Sequence, residues 1–544
     1  MKRITALLLA VVMAFGSVGI ADTAQANNID IKARGTWEFA FGIMDNSHFG
    51  KSFNPTSNRT YDDAIPNRDN NRRRGAHKNF EALQRVRVQA NFISGEHLQG
   101  VLQFEIGDTN WGENGTGRRS GGSLNGRATN VATRLAYLDW IVPHTQVTVR
   151  MGIQRLNLPS GRMGNPVFSD CVAGIVVNTP ITDNFGLTAF WLRPWATRDT
   201  DYDMDGRRFR NDTDAFGLIA PVTFTGVSFS PYFMYANIGN AAANAAGSTG
   251  FWDHNTRYGG NSTRGNSSAN AWWLGANLNV DILDPLVFNL DAIYGRVANT
   301  RHSFLSDTDV NGDAIRSRIS ASGWMIASTL DYKLDWGTPG IFGWYSSGDR
   351  NNSVRGHLDG DDDLVVERAR IGRLPVLGPT GGFGPTSFGT EGYFGIGNGN
   401  GQNGAVVSTT GTGTWGIGIQ LADVSFIQDL SHTLRFAYYQ GTNSATNTNY
   451  HRVFGTDTIL GGGAVRSVLM YDDPMYLTTK DSVFEVNFDH VYKIYENLEV
   501  CLELGWLRLN SNRSTWHGND FDSSRNLKRN DDAFKAGLNF KYSF

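Results

Sequence analysis

Cysteine is nearly missing from this chain: 544 residues contain two, Cys171 and Cys501. So low a count excludes a disulfide scaffold and a cysteine-built zinc site. Long apolar runs are also scarce. After the N-terminal segment, no stretch approaches the roughly 20 consecutive apolar residues that a membrane-crossing helix needs. Neither sign of charge dominates, since 49 Lys and Arg against 52 Asp and Glu leave a formal −3. That balance argues against a nucleic-acid partner. The signatures G-x-S-x-G and H-E-x-x-H do not occur, and the eleven histidines are scattered rather than clustered at zinc spacing. An enzyme is therefore not expected.

The first residues, "MKRITALLLAVVMAFGSVGIADTAQA", combine a basic start (Lys2, Arg3), a short apolar core and an A-x-A ending at Ala26. This is the pattern of a secretory signal peptide, so residues 1–26 are expected to be removed and residues 27–544 to form the exported domain.

The chain is rich instead in glycine (63 residues) and aromatics (12%), arranged with a period of two. In the closing "AFKAGLNFKYSF", Phe534, Ala536, Leu538, Phe540, Tyr542 and Phe544 share one parity. Lys535, Gly537, Asn539, Lys541 and Ser543 share the other. Side chains alternate in this way on a strand with one greasy and one polar face. The pattern recurs in "IDIKARGTWEFAFG", "FEALQRVRVQANF", "LQGVLQFEIG", "WWLGANLNVD", "LVFNLDAIYG", "HTLRFAYY" and "LEVCLELGW".

The segments are about 9–12 residues long, the length a tilted strand needs to cross a bilayer. Tight turns after Phe92, Ile141, Ile181, Phe224, Asp281 and Leu334 alternate with long, polar, Gly-rich connections, notably 43–79, 238–270, 348–413 and 442–481. The pattern predicts an all-β, transmembrane antiparallel barrel of about 18 strands, 16 being the alternative, with short periplasmic turns and long extracellular loops. A soluble sandwich alternates too, but does not account for the long/short rhythm. Such a barrel belongs in the Gram-negative outer membrane, in contact with its lipid.

Parity assigns an inward face. Arg85, Arg87, Arg134 and Arg150 fall on it, with Glu105 as a single acid among them. Later strands place Asp291, Asp331, Glu485, Asp489, Glu499 and Glu503 inward. Opposed basic and acidic walls would set a transverse field across a narrow passage. The competing reading is a wet lumen whose residues are merely solvated.

One loop carries a sharper motif. In "DTDYDMDGRRFRND", Asp201, Asp203, Asp205 and Gly206 match the opening of a calcium loop, with Asp212 at its twelfth position. A partial second copy, "DTDVNGD", supplies Asp307, Asp309 and Asn311, but Arg318 stands at its twelfth position. Hard oxygen donors on alternate residues suit calcium; an acidic, solvated loop fits the same residues.

The stretch "FEALQRVRVQANFISGEHLQGVLQFEIGDTNWG", then "AYLDW", and the final aromatic strand resemble the homotrimeric porins of Desulfovibrio-type bacteria. The resemblance is clearest over about 27–195 and at the C-terminus. It implies a general diffusion porin, a homotrimer, and passive transport of ions and small hydrophilic solutes. A substrate-selective channel is the alternative, with a barrel enzyme or adhesin behind it. By the same resemblance Phe544 is the insertion signal read by the barrel assembly machinery. The third external loop, "LNLPSGRMGNPVFSDC", would fold inward, making Arg162 and Asp170 constriction residues. If it does, Cys171 and Cys501 come within reach of a disulfide; two thiols are the other reading.

Overall fold

The computed structural model describes residues 29–45, 79–113, 122–124, 131–196, 212–239, 269–308, 314–351, 354–358, 364–378, 383–384, 386, 411–445, 477–510, 512 and 530–544. They form β1 (Asp30–Asp45), β2 (Asn79–Ser94), β3 (Leu98–Asn110), β4 (Val131–Ile141), β5 (Thr148–Asn157), β6 (Ser169–Pro180) and β7 (Gly186–Trp195). Then come β8 (Thr213–Ile219), β9 (Val222–Phe224), β10 (Val227–Ile238), β11 (Ala269–Val280), β12 (Leu286–Thr308), β13 (Ala314–Tyr332) and β14 (Thr338–Ser346). The last are β15 (Val354–Leu358), β16 (Leu364–Ile371), β17 (Thr414–Ile427), β18 (Leu430–Gly441), β19 (Ser482–Tyr495), β20 (Leu498–Asn510) and β21 (Asn530–Ser543).

Neighbouring wall strands pair antiparallel, and β21 returns to pair with β1 from Thr36↔Ser543 to Asp45↔Phe534. β8 and β9 are one interrupted wall strand, since both pair with β10. β15 and β16 stand outside the wall. Among the described residues the result is a closed barrel of 18 strands, so the 16-strand alternative falls away. Closure leaves no open edge, which is the condition for a sheet to sit in lipid.

The C-terminus completes this seam. Gly35 N donates to Phe544 O (2.8 Å) and Phe544 N donates to Gly35 O (3.0 Å). The Phe544 ring lies over Gly35, where a Cβ would come within 2.5 Å of it and 2.4 Å of Arg87 O.

Outward positions are apolar and exposed. Phe92, Phe224, Tyr332, Tyr492, Tyr542 and Phe544 ring the short-turn end, and Trp111, Tyr294, Trp324, Tyr345 and Phe534 ring the other. Two aromatic belts around an apolar band are the mark of a barrel seated between two headgroup layers. The protein is thus a multi-pass β-barrel of the Gram-negative outer membrane.

Two regions differ from expectation. β12 continues well past the end of the alternating stretch "LVFNLDAIYG" and pairs with β13 as a tall hairpin. The long connection 348–413, read from sequence as loop, contains the β15–β16 hairpin, and β16 pairs parallel with β13. The first lengthens a hairpin of consecutive strands; the second depends on the parallel β13–β16 pairing between segments distant in the chain, which local periodicity does not report.

Candidate functional site: the lumen and its inward segments

The connection between β5 and β6, residues 158–168, turns into the barrel. Leu158, Met163, Val167 and Phe168 are buried there with Val172, Leu192, Met234 and Trp273 of the wall. Its tip reaches the far side. Gly161 N donates to both carboxylate oxygens of Asp291 on β12 (3.0 and 3.0 Å). Arg162 Nη1 donates to Asp331 Oδ2 on β13 at 2.9 Å, while Gln420 Nε2 of β17 holds the other oxygen at 2.7 Å. Asn165 Nδ2 donates to the Tyr232 hydroxyl of β10 at 3.0 Å. The tip is thus held at three wall strands, by carboxylates on β12 and β13 and by a hydroxyl on β10.

A second segment follows β16. Leu374, Val376, Leu377 and Phe383 are buried. Trp273 Nε1 donates to Pro375 O at 2.7 Å. Gly323 on β13 admits this segment: a Cβ there would lie 2.3 Å from Leu374 N. The two inward segments also join each other, through Leu377 N to Val167 O (3.0 Å) and Gly384 N to Met163 O (2.9 Å). Arg373 Nε donates to the fully buried Asp349 carboxylate (3.1 Å), fixing the start of the second segment near the mouth.

The expected constriction residues divide. Arg162 crosses the lumen as described. Asp170 does not: it is the second residue of β6, is exposed, and its Oδ1 accepts from Cys171 N at 2.7 Å. The residues that accompany Arg162 across are Gly161 and Asn165. No disulfide joins Cys171 and Cys501. Cys501 is buried on the inward parity of β20, beside Asn539, while Cys171 pairs in register with Arg155 on β5.

The basic wall is not as basic as parity alone suggested. Arg85 Nε donates to Glu38 Oε2 (2.6 Å) and Arg87 Nε to Glu105 Oε2 (2.7 Å). Arg134 lies 3.7 Å from the same Glu105 oxygen and donates to Gln103 (3.2 Å). Arg150 forms a two-pronged pair with Asp139 (2.6 and 2.7 Å) and stacks over Tyr137. Glu105 is therefore joined by Glu38 and Asp139, which correct its reading as a single acid.

Cations likewise interrupt the acidic wall. Lys535 meets Glu503 at 2.8 Å, Lys541 meets Glu499 at 3.0 Å, and Arg435 meets Asp489 at 2.6 Å. Glu485 accepts from the Tyr439 hydroxyl (2.9 Å) and from Asn487 (3.0 Å). Charges paired across adjacent strands cancel at a distance, so any transverse field is weaker than the unpaired list implied. The missed partners Glu38, Asp139, Arg435, Lys535 and Lys541 all have inward parity. Parity was the available signal; strand register, which makes them partners, was not.

The calcium motif falls largely outside the described residues: Asp201, Asp203, Asp205, Asp309 and Asn311 lie there. Asp212 is placed just before β8, with Oδ2 3.6 Å from the Arg193 guanidinium, and Asp307 belongs to the last residues of β12. Among the described residues no group of three or more His, Cys, Asp or Glu is arranged to hold a metal.

No family model matches the chain, and no curated protein matches it. Solved structures of similar shape include Acinetobacter baumannii OccAB2, at 12% identity and a TM-score of 0.44, covering 96% of this chain and 99% of that one. Pseudomonas aeruginosa OpdL is similar at 10% identity and 0.43, over 95% and 99%. Pseudomonas aeruginosa OprD is similar at 11% and 0.43, over 96% and 98%. At these identities and scores the likeness says nothing of what this chain passes. The barrel's own wall and polar, partly filled lumen are those of a closed outer-membrane β-barrel.

Proposed function

We propose that this protein is a substrate-selective outer-membrane channel rather than a general diffusion porin. One observation carries the reading: two segments from distant parts of the chain are anchored inside the lumen, to the wall and to each other. A passage bounded by bonded groups presents fixed donors and acceptors to a solute, and fixed groups discriminate by chemistry as well as size. General diffusion remains the second reading, supported by charge pairing that leaves little net field along the inward wall.

Passive flux of small hydrophilic solutes fits both readings, as does export through the N-terminal signal peptide. Assembly as a homotrimer and kinship with Desulfovibrio-type porins rest on the sequence resemblance. Insertion through the terminal Phe544 strand rests on the same ground. Calcium at the Asp201–Asp212 loop rests on spacing alone; calorimetry on wild type and Asp203→Asn/Asp205→Asn tests it, and equal heats for the two would remove it.

Swelling of proteoliposomes in neutral, anionic, cationic and zwitterionic solutes of matched size tests selectivity. A selective channel ranks matched solutes by chemistry. Rates that follow size alone would establish the general porin instead.

A further inference from the structure

Two histidines meet on the outer face of the wall. His432 of β18 stands directly opposite His490 of β19 in the antiparallel register. Their parity is that of Tyr438, Phe488 and Tyr492, which are exposed outward. Arg435, Tyr439, Glu485 and Asp489 of the same two strands have the opposite, lumen-facing parity. Residues directly opposite on neighbouring strands lie within reach of each other, and here the contact is close. Nδ1 of one ring lies 2.6 Å from Nδ1 of the other, with ring centroids 4.8 Å apart and planes at 82°.

Position sets what can reach this pair. One outward level nearer the short turns, the register joins Leu430 to Tyr492, a member of the lower aromatic belt. One level further into the wall it joins Leu434 to Phe488. Phe488 covers the pair on that side, its ring centroid 4.1 Å from His490 and 6.3 Å from His432. Aromatic belts mark the headgroup boundary, so the imidazoles sit at the periplasmic edge of the apolar band, where ions arrive from water. Beyond their mutual contact, neither imidazole has a hydrogen bond or ion pair to another described residue.

Two neutral rings hold this contact when one Nδ1 keeps its proton and donates it to the other. A divalent ion can take the place of that proton and accept a lone pair from each nitrogen. The ring that donated then carries its proton on Nε2, and both rings stay neutral. Metal–imidazole bonds are about 2.0–2.1 Å, so two nitrogens on one ion stand roughly 3 Å apart at tetrahedral or square-planar angles. The rings need to part by only about half an ångström to reach that span. We propose that His432 and His490 form a two-imidazole site for a divalent transition ion of the Cu²⁺, Ni²⁺ or Zn²⁺ class, clasping β18 to β19 at the periplasmic rim. Hard ions such as Mg²⁺ and Ca²⁺ prefer oxygen ligands, so this site differs in kind from the acidic loop at Asp201. The inference rests on the barrel's place in the outer membrane and is independent of solute selectivity.

The test uses the full barrel in detergent, without an affinity tag. Cu²⁺ is the probe, because nitrogen ligands split its electron paramagnetic resonance signal. The tightest Cu²⁺ bound by wild type should show two imidazole nitrogens and resist excess Mg²⁺. His432→Gln/His490→Gln should bind Cu²⁺ about 100-fold or more weakly, as expected when a paired attachment is removed. If the double variant does not insert, His490→Tyr, which keeps a ring at the belt, carries the same comparison. An ion held by the native state also stabilises it, so Cu²⁺ should raise the urea midpoint of wild type and not that of the variant. Equal Cu²⁺ affinity for variant and wild type would overturn the proposal. So would a bound-copper signal lacking the two imidazole nitrogens, which would leave the pair joined by a shared proton.

Discussion

Gly161 donates its backbone N–H to both oxygens of Asp291, a residue 130 positions away on the opposite wall. This bond is one of three that hold the tip of the first inward segment across the lumen, beside Arg162–Asp331 and Asn165–Tyr232. Asp291 also accepts from Asn277 at 2.8 Å, so wall and segment share one carboxylate. Hydrogen bonds to charged groups contribute about 1.5–3 kcal/mol each. Asp291→Ala should free the tip and raise single-channel conductance. Unchanged conductance in planar bilayers would mean that Arg162 and Asn165 hold the segment without it.

Lys535 and Glu503 form an ion pair in which both side chains are 1% exposed. Removing one partner leaves a buried charge uncompensated, at a cost of about 3–5 kcal/mol. Lys535→Met should lower the urea midpoint of the folded barrel substantially. The double change Lys535→Met/Glu503→Leu should recover much of the loss. A single variant as stable as wild type would show that water reaches this pair.

Arg85 offsets Glu38, and Arg87 offsets Glu105. Arg85→Gln/Arg87→Gln should leave two carboxylates without their nearest cations and move the reversal potential in a salt gradient toward cation selectivity. No movement would put the permeating ions out of reach of these strands, beyond roughly a Debye length of about 8 Å.

At the closing seam, Gly35 leaves room for the Phe544 ring and the Arg87 carbonyl. Gly35→Ala should strain both contacts, with overpacking of this kind costing about 1–3 kcal/mol. The measurement is the temperature at which the folded band is lost on a gel. A wild-type midpoint would show that the seam yields easily.

Face assignment is open to thiol labelling. Cysteine at Leu538, an exposed outward position, should react only with lipid-soluble reagents, and cysteine at Lys541 with water-soluble ones. The opposite result would require a register shifted by one residue, which exchanges the faces.

The alternation of residues such as Phe534 to Phe544 by itself determined the strands, their two faces and the outward belt. The reason is physical: lipid and water lie on opposite sides of a wall one residue thick, so each position records its own environment. Turn lengths likewise carried the two ends of the barrel. What lies between strands was decided by tertiary structure. Glu38 became the partner of Arg85 through the β1–β2 register. Gly161 met Asp291 because the barrel closed around them. Periodicity describes a residue against its neighbours in the chain, whereas register and the path of an inward loop are set by the cooperative pairing of segments far apart in sequence.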